Sequence, residues 1–228
     1  MPPICKKCHA AAVEVRIPAS NLAFCSKCFL EFFVKRVRET VQKYRMFGEE
    51  DEVGVAVSGG KDSATLLQSL REAFPSLRII ALHVNLGIDG YSDHCQKKVE
   101  ELVKKVGVEL YVKDLKREEG FTIDDFKRTI YGRSVCAPCG VIKRHVFDEL
   151  AERAGVKILA TGHNLDDIVG TMLTTFFAGD LGQLVRLKPT LKPAAPHQPR
   201  KVKPLIKCTE LEDLHYACLL YTSPSPRD

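Results

Sequence analysis

The first regular pattern along the chain is a helical stripe. Over residues 29–47, "FLEFFVKRVRETVQKYRMF", Phe29, Phe33, Val37, Val41 and Tyr44 recur on one helical face, while Lys35, Arg36, Arg38 and Lys43 fall largely on the others. From residue 52 the texture changes. Short β-prone runs, "EVGVAV" (52–57), "RIIALHV" (78–84), "VELYVK" (108–113) and "VKILAT" (156–161), each give way to a helical pattern. Those patterns begin near Lys61, Asp93, Ile123 (then Gly140) and Leu165. Near-continuous apolar strands separated by helices predict an α/β fold with a doubly wound parallel sheet covered on both faces. Right-handed crossovers would gather the ligand-binding loops at the carboxyl ends of the strands.

Composition narrows the function classes. The chain has 228 residues, 45% hydrophobic and 28% charged, enough for one good domain and a small accessory unit, which excludes global disorder. No apolar run approaches a membrane span, and "MPPICKKCHA" lacks a signal-peptide pattern. A cytoplasmic protein without a membrane partner is expected. Nine cysteines then need a use other than disulfides. The net charge of +5 identifies no nucleic-acid partner alone.

The stretch "VAVSGGKDSATLL", 55–67, stops a strand on Ser58-Gly59-Gly60 and resumes as a helix near Lys61. Two glycines remove the Cβ atoms that would hold a ligand off the backbone. The unpaired N–H groups and positive dipole end of the helix face the loop, and the hydroxyls of Ser58 and Ser63 add donors. This is a phosphate cradle. It is not a Walker A loop, because Asp62 follows Lys61 where that motif needs Ser or Thr. A plain glycine turn is the bland alternative. "ATGHNLDD", 160–167, ends the fourth strand, so Gly162, His163 and Asp167 are expected in the same crevice. Asp166 and Asp167 either hold magnesium beside a triphosphate or simply cap the next helix. "LHVNLGIDGYS", 82–92, ends the second strand on the same side of the sheet.

Cys5-x-x-Cys8 and Cys25-x-x-Cys28, sixteen residues apart, have the spacing of a four-thiolate zinc site, with two disulfides as the alternative. Cys136 and Cys139 lie just before the helical pattern at Gly140, where a helix dipole favours thiolates and Lys143 and Arg144 add positive charge. A redox dithiol, half a zinc site and two ligands of an iron–sulfur cluster compete. Candidates for a third thiolate are Cys95, Cys208 and Cys218. Residues 186–207 carry Arg186, Lys188, Lys192, Arg200, Lys201, Lys203 and Lys207 with five prolines and no acid. They read either as a solvated basic linker or as a surface that follows a phosphate backbone, with Arg200, Lys201 and Lys203 as its contacts.

S-G-G-K-D-S resembles the phosphate loop of the ATP-pyrophosphatase (PP-loop) superfamily, which implies cleavage of ATP between its α and β phosphates. The ordered set C-x-x-C…C-x-x-C, S-G-G-K-D-S, H-x-N-L-G-I, C-x-x-C-G-x-x-K-R and T-G-H-N-L-D-D is similar to the TtuA-type tRNA uridine 2-sulfurtransferases over residues 1 to about 217. The resemblance implies a Rossmann-like PP-loop domain with a small N-terminal zinc-binding unit. It implies that ATP adenylates the C2 oxygen of a tRNA uridine, the T-loop uridine on the strength of "HVNLGIDGYS", with wobble-uridine thiolation by the sister family as the alternative. Sulfur then replaces that oxygen. Implied cofactors are ATP with Mg2+, Zn2+ and a [4Fe–4S] cluster. Implied partners are tRNA and a sulfur donor such as a ubiquitin-like thiocarboxylated protein, with a homodimer as a further expectation.

By position, Cys5, Cys8, Cys25 and Cys28 would be zinc ligands and Cys136 and Cys139 cluster ligands. Ser58, Gly59, Gly60, Lys61, Asp62, Ser63, Lys143, Gly162 and Asp167 would contact ATP. Ala56 and Val84 would contact the nucleoside through backbone groups, and Asp62, Cys136 and Cys139 would be catalytic. The expected organisation is a zinc unit at 1–28, a linking helix at 29–47, the PP-loop domain at 48–217 and a tail at 218–228. That tail, "CLLYTSPSPRD", resembles a translated sequencing adaptor and is expected to lack packed partners, leaving Cys136 and Cys139 without a third thiolate. A non-catalytic zinc-dependent RNA-binding module is the rival from another class, and an amidotransferase-type ligase the rival within the superfamily.

Overall fold

A computed structural model describes residues 4–9, 12–129 and 135–222. The chain opens with a hairpin, β1 (Val15–Ile17) and β2 (Leu22–Phe24), and continues into α1 (Ser26–Lys43). The main body runs β3 (Glu52–Ala56), α2 (Lys61–Ala73), β4 (Arg78–Asn85), α3 (Ser92–Val106), β5 (Glu109–Asp114), α4 (Leu115–Glu118) and α5 (Cys136–Arg153). It closes with β6 (Ile158–Ala160), α6 (Leu165–Phe177), β7 (Thr190–Leu191), β8 (Arg200–Val202) and α7 (Glu210–Thr222). The sheet order is β5-β4-β3-β6-β8-β7, parallel throughout except for the antiparallel edge pair β7–β8.

The four strands expected from the apolar runs are present and parallel. β4 shows why its run is continuous: Ile79 and Ala81 belong to one buried cluster, Ile80 and Leu82 to another. Side chains that alternate across a strand meet helices on both sides. One face is covered by α1, α2, α3 and α7 through Val37, Leu66, Leu70, Val99 and Tyr216. The other is covered by α5 through Val146, Leu150 and Ala151.

Several boundaries differ from expectation. α1 starts at Ser26, so the expected border between zinc unit and helix falls inside its first turn, with Cys25 as the extended N-cap residue. The segment after Thr122 is a 3-10 turn, Ile123–Arg128, closed by a Thr122/Asp125 capping box. α5 starts at Cys136 and not at Gly140, because Pro138 falls in the first turn, where its missing N–H has no helical partner to lose.

The basic stretch is the largest correction. Residues 200–202 are a buried-sheet strand, with Val202 fully buried and flanked by Lys203 and Leu205, both buried. Arg200 donates to the carbonyls of Arg45 and Met46, and Lys201 pairs with Asp148 at 2.8 Å. Lys203 donates from Nζ to the carbonyls of Arg186 and Lys188, each at 2.7 Å. These three side chains stitch the chain to itself and do not form the exposed phosphate-contact row expected of them. The tail also departs from expectation. α7 runs through residue 222, Leu219 and Leu220 pack against the main core, and Lys105 Nζ donates to the Leu220 carbonyl at 3.2 Å. Once Glu210 starts a helix, "ACLLYT" contains no residue that stops it. Residues 223–228 lie outside the described residues.

Candidate functional site

At the end of β3 the chain turns through Ser58, Gly59 and Gly60 into α2. Gly59 has φ +86°, and a Cβ there would lie 2.9 Å from Cys95 Cβ, so both conformation and space demand glycine. The loop is held from below. Ser63 Oγ donates to the Gly60 carbonyl at 3.0 Å and accepts the Ser58 N–H at 3.1 Å. Ser63 is buried, so its hydroxyl shapes the cradle and does not reach out as the expected extra donor; Ser58 is exposed. Gly60 is the N-cap residue of α2, which leaves the first N–H groups of that helix directed at the loop.

Two neighbouring elements complete the crevice. The loop after β6 lays Gly162 against the first turn of α2, where a Cβ would meet Asp62 C and Ser63 N at 3.2 Å. Asn164 then caps α6 in a reciprocal box with Asp167, whose Oδ2 accepts the Asn164 N–H at 3.1 Å. Asp166 Oδ2 accepts the Glu210 N–H at 2.7 Å. The bland expectation for these two acids, capping of the next helix, describes one oxygen of Asp167, while one oxygen of Asp166 binds the start of α7 instead; both residues are exposed.

The other contributor, α7, was missed from sequence. Glu210 Oε1 pairs with Lys61 Nζ at 3.0 Å, on the far side from Asp62 Oδ1 at 2.9 Å. Burial opposes the charge on Lys61, but the two carboxylates outweigh it and raise its pKa. Beneath them lies Asp213, fully buried, with Oδ2 accepting Asn164 Nδ2 at 3.2 Å and its backbone carbonyl accepting Thr65 Oγ1 at 3.3 Å. Burial pushes the Asp213 carboxyl up to about 8, so it is largely protonated at neutral pH. Its sequence signal is hidden because α7 turns acids inward: Glu212 and Asp213 are buried while Leu211 and Leu214 are each 42% exposed.

The remaining predicted positions sit on the opposite wall. Ala56 ends β3 and Val84 lies near the end of β4, with their side chains in or against the α5-side core. Cys139, half-buried, packs against that same cluster, which brings the start of α5 over the strand ends. Cys136 is exposed, and half-buried Lys143 follows Cys139 by one helical turn, without an ion-pair partner among the described residues.

The metal candidate is separate. Cys5, Cys8, Cys25 and Cys28 place their sulfurs within 4.8 Å of one another, three of the residues buried and Cys8 exposed. Burial alone would raise the Cys5 thiol, yet backbone N–H groups of Cys8, Cys25 and Lys7 pull it down to about 6. Amides aimed at a sulfur stabilise thiolate, the form that ligates zinc. The donor set fits a tetrahedral ion. Among the described residues it is the sole group of three or more potential ligands, so Cys136 and Cys139 have no third thiol beside them there. Cys208 is fully buried beneath the start of α6, where its carbonyl accepts the Leu165 N–H at 2.8 Å, and Cys218 is exposed on α7. Two thiols do not make a cluster cage.

The glycine loop, the strand order and the converging β6 loop agree with a family comparison: a model described as a PP-loop domain matches residues 30–217. The chain belongs to the PP-loop family. Within it, this PP-loop protein is 34% identical over 216 residues to the tRNA-5-methyluridine(54) 2-sulfurtransferase of Thermus thermophilus, an alignment covering 95% of the chain and 66% of the relative. It is 38% identical over 194 residues to cytoplasmic tRNA 2-thiolation protein 1 of Bos taurus, covering 81% and 55%. The structure superposes on the U34-tRNA thiolase NcsA of Methanococcus maripaludis, solved with its [4Fe-4S] cluster. The TM-score is 0.83 at 28% identity, covering 99% of this chain and 75% of that one. The chain thus spans just under two thirds of the Thermus relative's length and about half of the bovine one's.

Proposed function

We propose that this PP-loop protein carries out the ATP-dependent half of tRNA uridine 2-thiolation. The observation that carries the reading is the crevice itself: a glycine cradle at a helix N-terminus, faced by Lys61, Asp62 and the Gly162–Asp167 loop, in a chain similar along nearly all its length to tRNA thiolases. ATP would seat its departing pyrophosphate on Ser58–Lys61, where backbone N–H groups take up the charge that develops as the bond between the α and β phosphorus atoms breaks. The uridine C2 oxygen attacks the α phosphorus and pyrophosphate leaves. The resulting adenylate makes C2 open to a sulfur nucleophile, and AMP leaves as sulfur enters. Lys61, kept charged between Asp62 and Glu210, is placed to hold a phosphate oxygen. Magnesium would join the triphosphate near the half-buried carboxylate of Asp62 and the exposed one of Asp167.

Zinc at Cys5, Cys8, Cys25 and Cys28 would have a structural role, since a closed four-thiolate site has no open position for chemistry. No step is routed through Cys136 and Cys139, whose surroundings in the described residues do not form a cluster cage. Of the two uridine positions, we take the wobble uridine ahead of the T-loop one, because the thiolase that superposes along 99% of this chain acts on U34. A cytoplasmic location follows the naming of the bovine relative. The test is pyrophosphate release from ATP with unmodified tRNA, using transcripts that lack either U34 or U54. Release lost only without U34 supports the reading, release lost only without U54 moves it to the T-loop, and no tRNA-dependent release from the complete unmodified transcript overturns it.

A further inference from the structure

With Arg200, Lys201 and Lys203 engaged within the chain, a polyanion would need positive charge from elsewhere. A groove of about 390 Å3 runs between α1 and the start of α6, lined by Arg36, Glu39, Thr40, Leu165 and Lys207. Leu165 is the first residue of α6, next to Asn164, so the groove begins at the edge of the ATP crevice. Its lining residue Lys207 also sits over half-buried Tyr44, with Lys207 Nζ 5.6 Å and Lys43 Nζ 5.7 Å from the ring centroid.

Of the acids nearby, Glu212 is buried and bound to Arg36 at 2.5 Å, while exposed Glu39 lies 3.8 Å from Lys35 and also attracts Lys207 without reaching ion-pair distance. Among the described residues neither Lys43 nor Lys207 has a carboxylate at ion-pair distance, and the two ammonium groups face each other. Burial first, and then Lys43, lowers the Lys207 pKa. Like charges held together over an aromatic ring are unfavourable until an anion sits between them. A phosphodiester supplies that anion, and a base supplies a partner for the ring.

We propose that the α1–α6 groove, with Lys43 and Lys207 around Tyr44, seats the RNA phosphate backbone on its way to the ATP crevice. This rests on the tRNA reading given above. The test compares the parent with K43Q/K207Q and with K97Q/K104Q, which removes the same charge from exposed positions on α3. Binding of an unmodified tRNA transcript is followed by fluorescence anisotropy across a salt series, beside ATP binding by calorimetry. Each lost phosphate contact lowers the salt slope by roughly 0.9, or about eightfold in affinity at 0.1 M salt. We expect K43Q/K207Q to lose one to two units of slope and to keep ATP affinity and melting temperature. K97Q/K104Q should lose far less slope. A parent-like slope in K43Q/K207Q, or an equal loss in the α3 variant, overturns the groove alone. A parent without salt-dependent tRNA binding overturns the thiolation reading and the groove with it.

Discussion

Replacing Asp213 by Asn should stabilise this protein, by an amount that depends on pH. The carboxyl is fully buried, and its folded pKa of about 8 compares with an ordinary value of 3.8. Burial is the main cause; Asp62 and Glu212 add to it, and the Asn164 hydrogen bond and Lys61 oppose it. The sign follows from proton counting. Between the two pKa values the unfolded chain has released a proton that the folded chain keeps, so stability falls as pH rises. The contribution is fully present below 3.8 and is lost by about pH 8. Each pH unit in that window is worth about 1.4 kcal/mol, so the ceiling at pH 7 is about 4 kcal/mol. Asparagine accepts the same Asn164 bond without titrating, but its amide would lie where Asp213 Oδ1 has no hydrogen-bond partner, which costs about 1–3 kcal/mol. The difference between D213N and parent is therefore more informative than either alone. Denaturant unfolding of both, with saturating zinc, from pH 6 to pH 8.5 should show that difference growing by about 3 kcal/mol and then levelling. Zinc and the titrating groups that do not interact with Asp213 cancel in the subtraction. A difference that stays flat across this range refutes the argument, because a carboxylate already ionised at pH 6 would give no slope.

Three further outcomes are expected. Gly162→Ala should push the first turn of α2 by a few tenths of an ångström, since its Cβ would meet Asp62 C and Ser63 N at 3.2 Å; pyrophosphate release should drop about tenfold or more, with folding nearly intact by circular dichroism. Asp62→Ala removes a one-third-exposed carboxylate beside Lys61 and should impair adenylation far more than it shifts the melting temperature; equal adenylation by mutant and parent would reject its role. Cys25→Ser should lower bound zinc from one per chain, measured by elemental analysis, and lower the melting temperature of the whole chain, because Cys25 and Phe29 belong to one core.

The parallel sheet was legible because each central strand is apolar on both faces, and the cradle because Ser58-Gly59-Gly60 falls where a strand must meet a helix. The gathering of Cys5, Cys8, Cys25 and Cys28 was legible from spacing alone. β8 was not, since two cations in a three-residue strand look like surface until Asp148 and the Met46 carbonyl are seen opposite them. α7 misled for the reverse reason: it exposes leucines and buries acids, an order that no amphipathic pattern reveals. Its N-terminus is specified instead by Thr209 and Glu212, whose reciprocal hydrogen bonds form a box, and Glu212 uses its other oxygen to hold Arg36.

The thiolate site and the ATP crevice share one interior. Cys5, Cys25 and Cys28 lie in the same buried cluster as Leu66 and Leu70 of α2, and α7 bridges them, with Tyr216 stacked on Phe33 at 4.4 Å and Asp213 beneath Thr65. A packing change in one half is therefore carried into the other. Whatever loosens the four sulfurs loosens the same wall that backs the glycine loop, so the first sign of damage at one end would be a softened turn at the other.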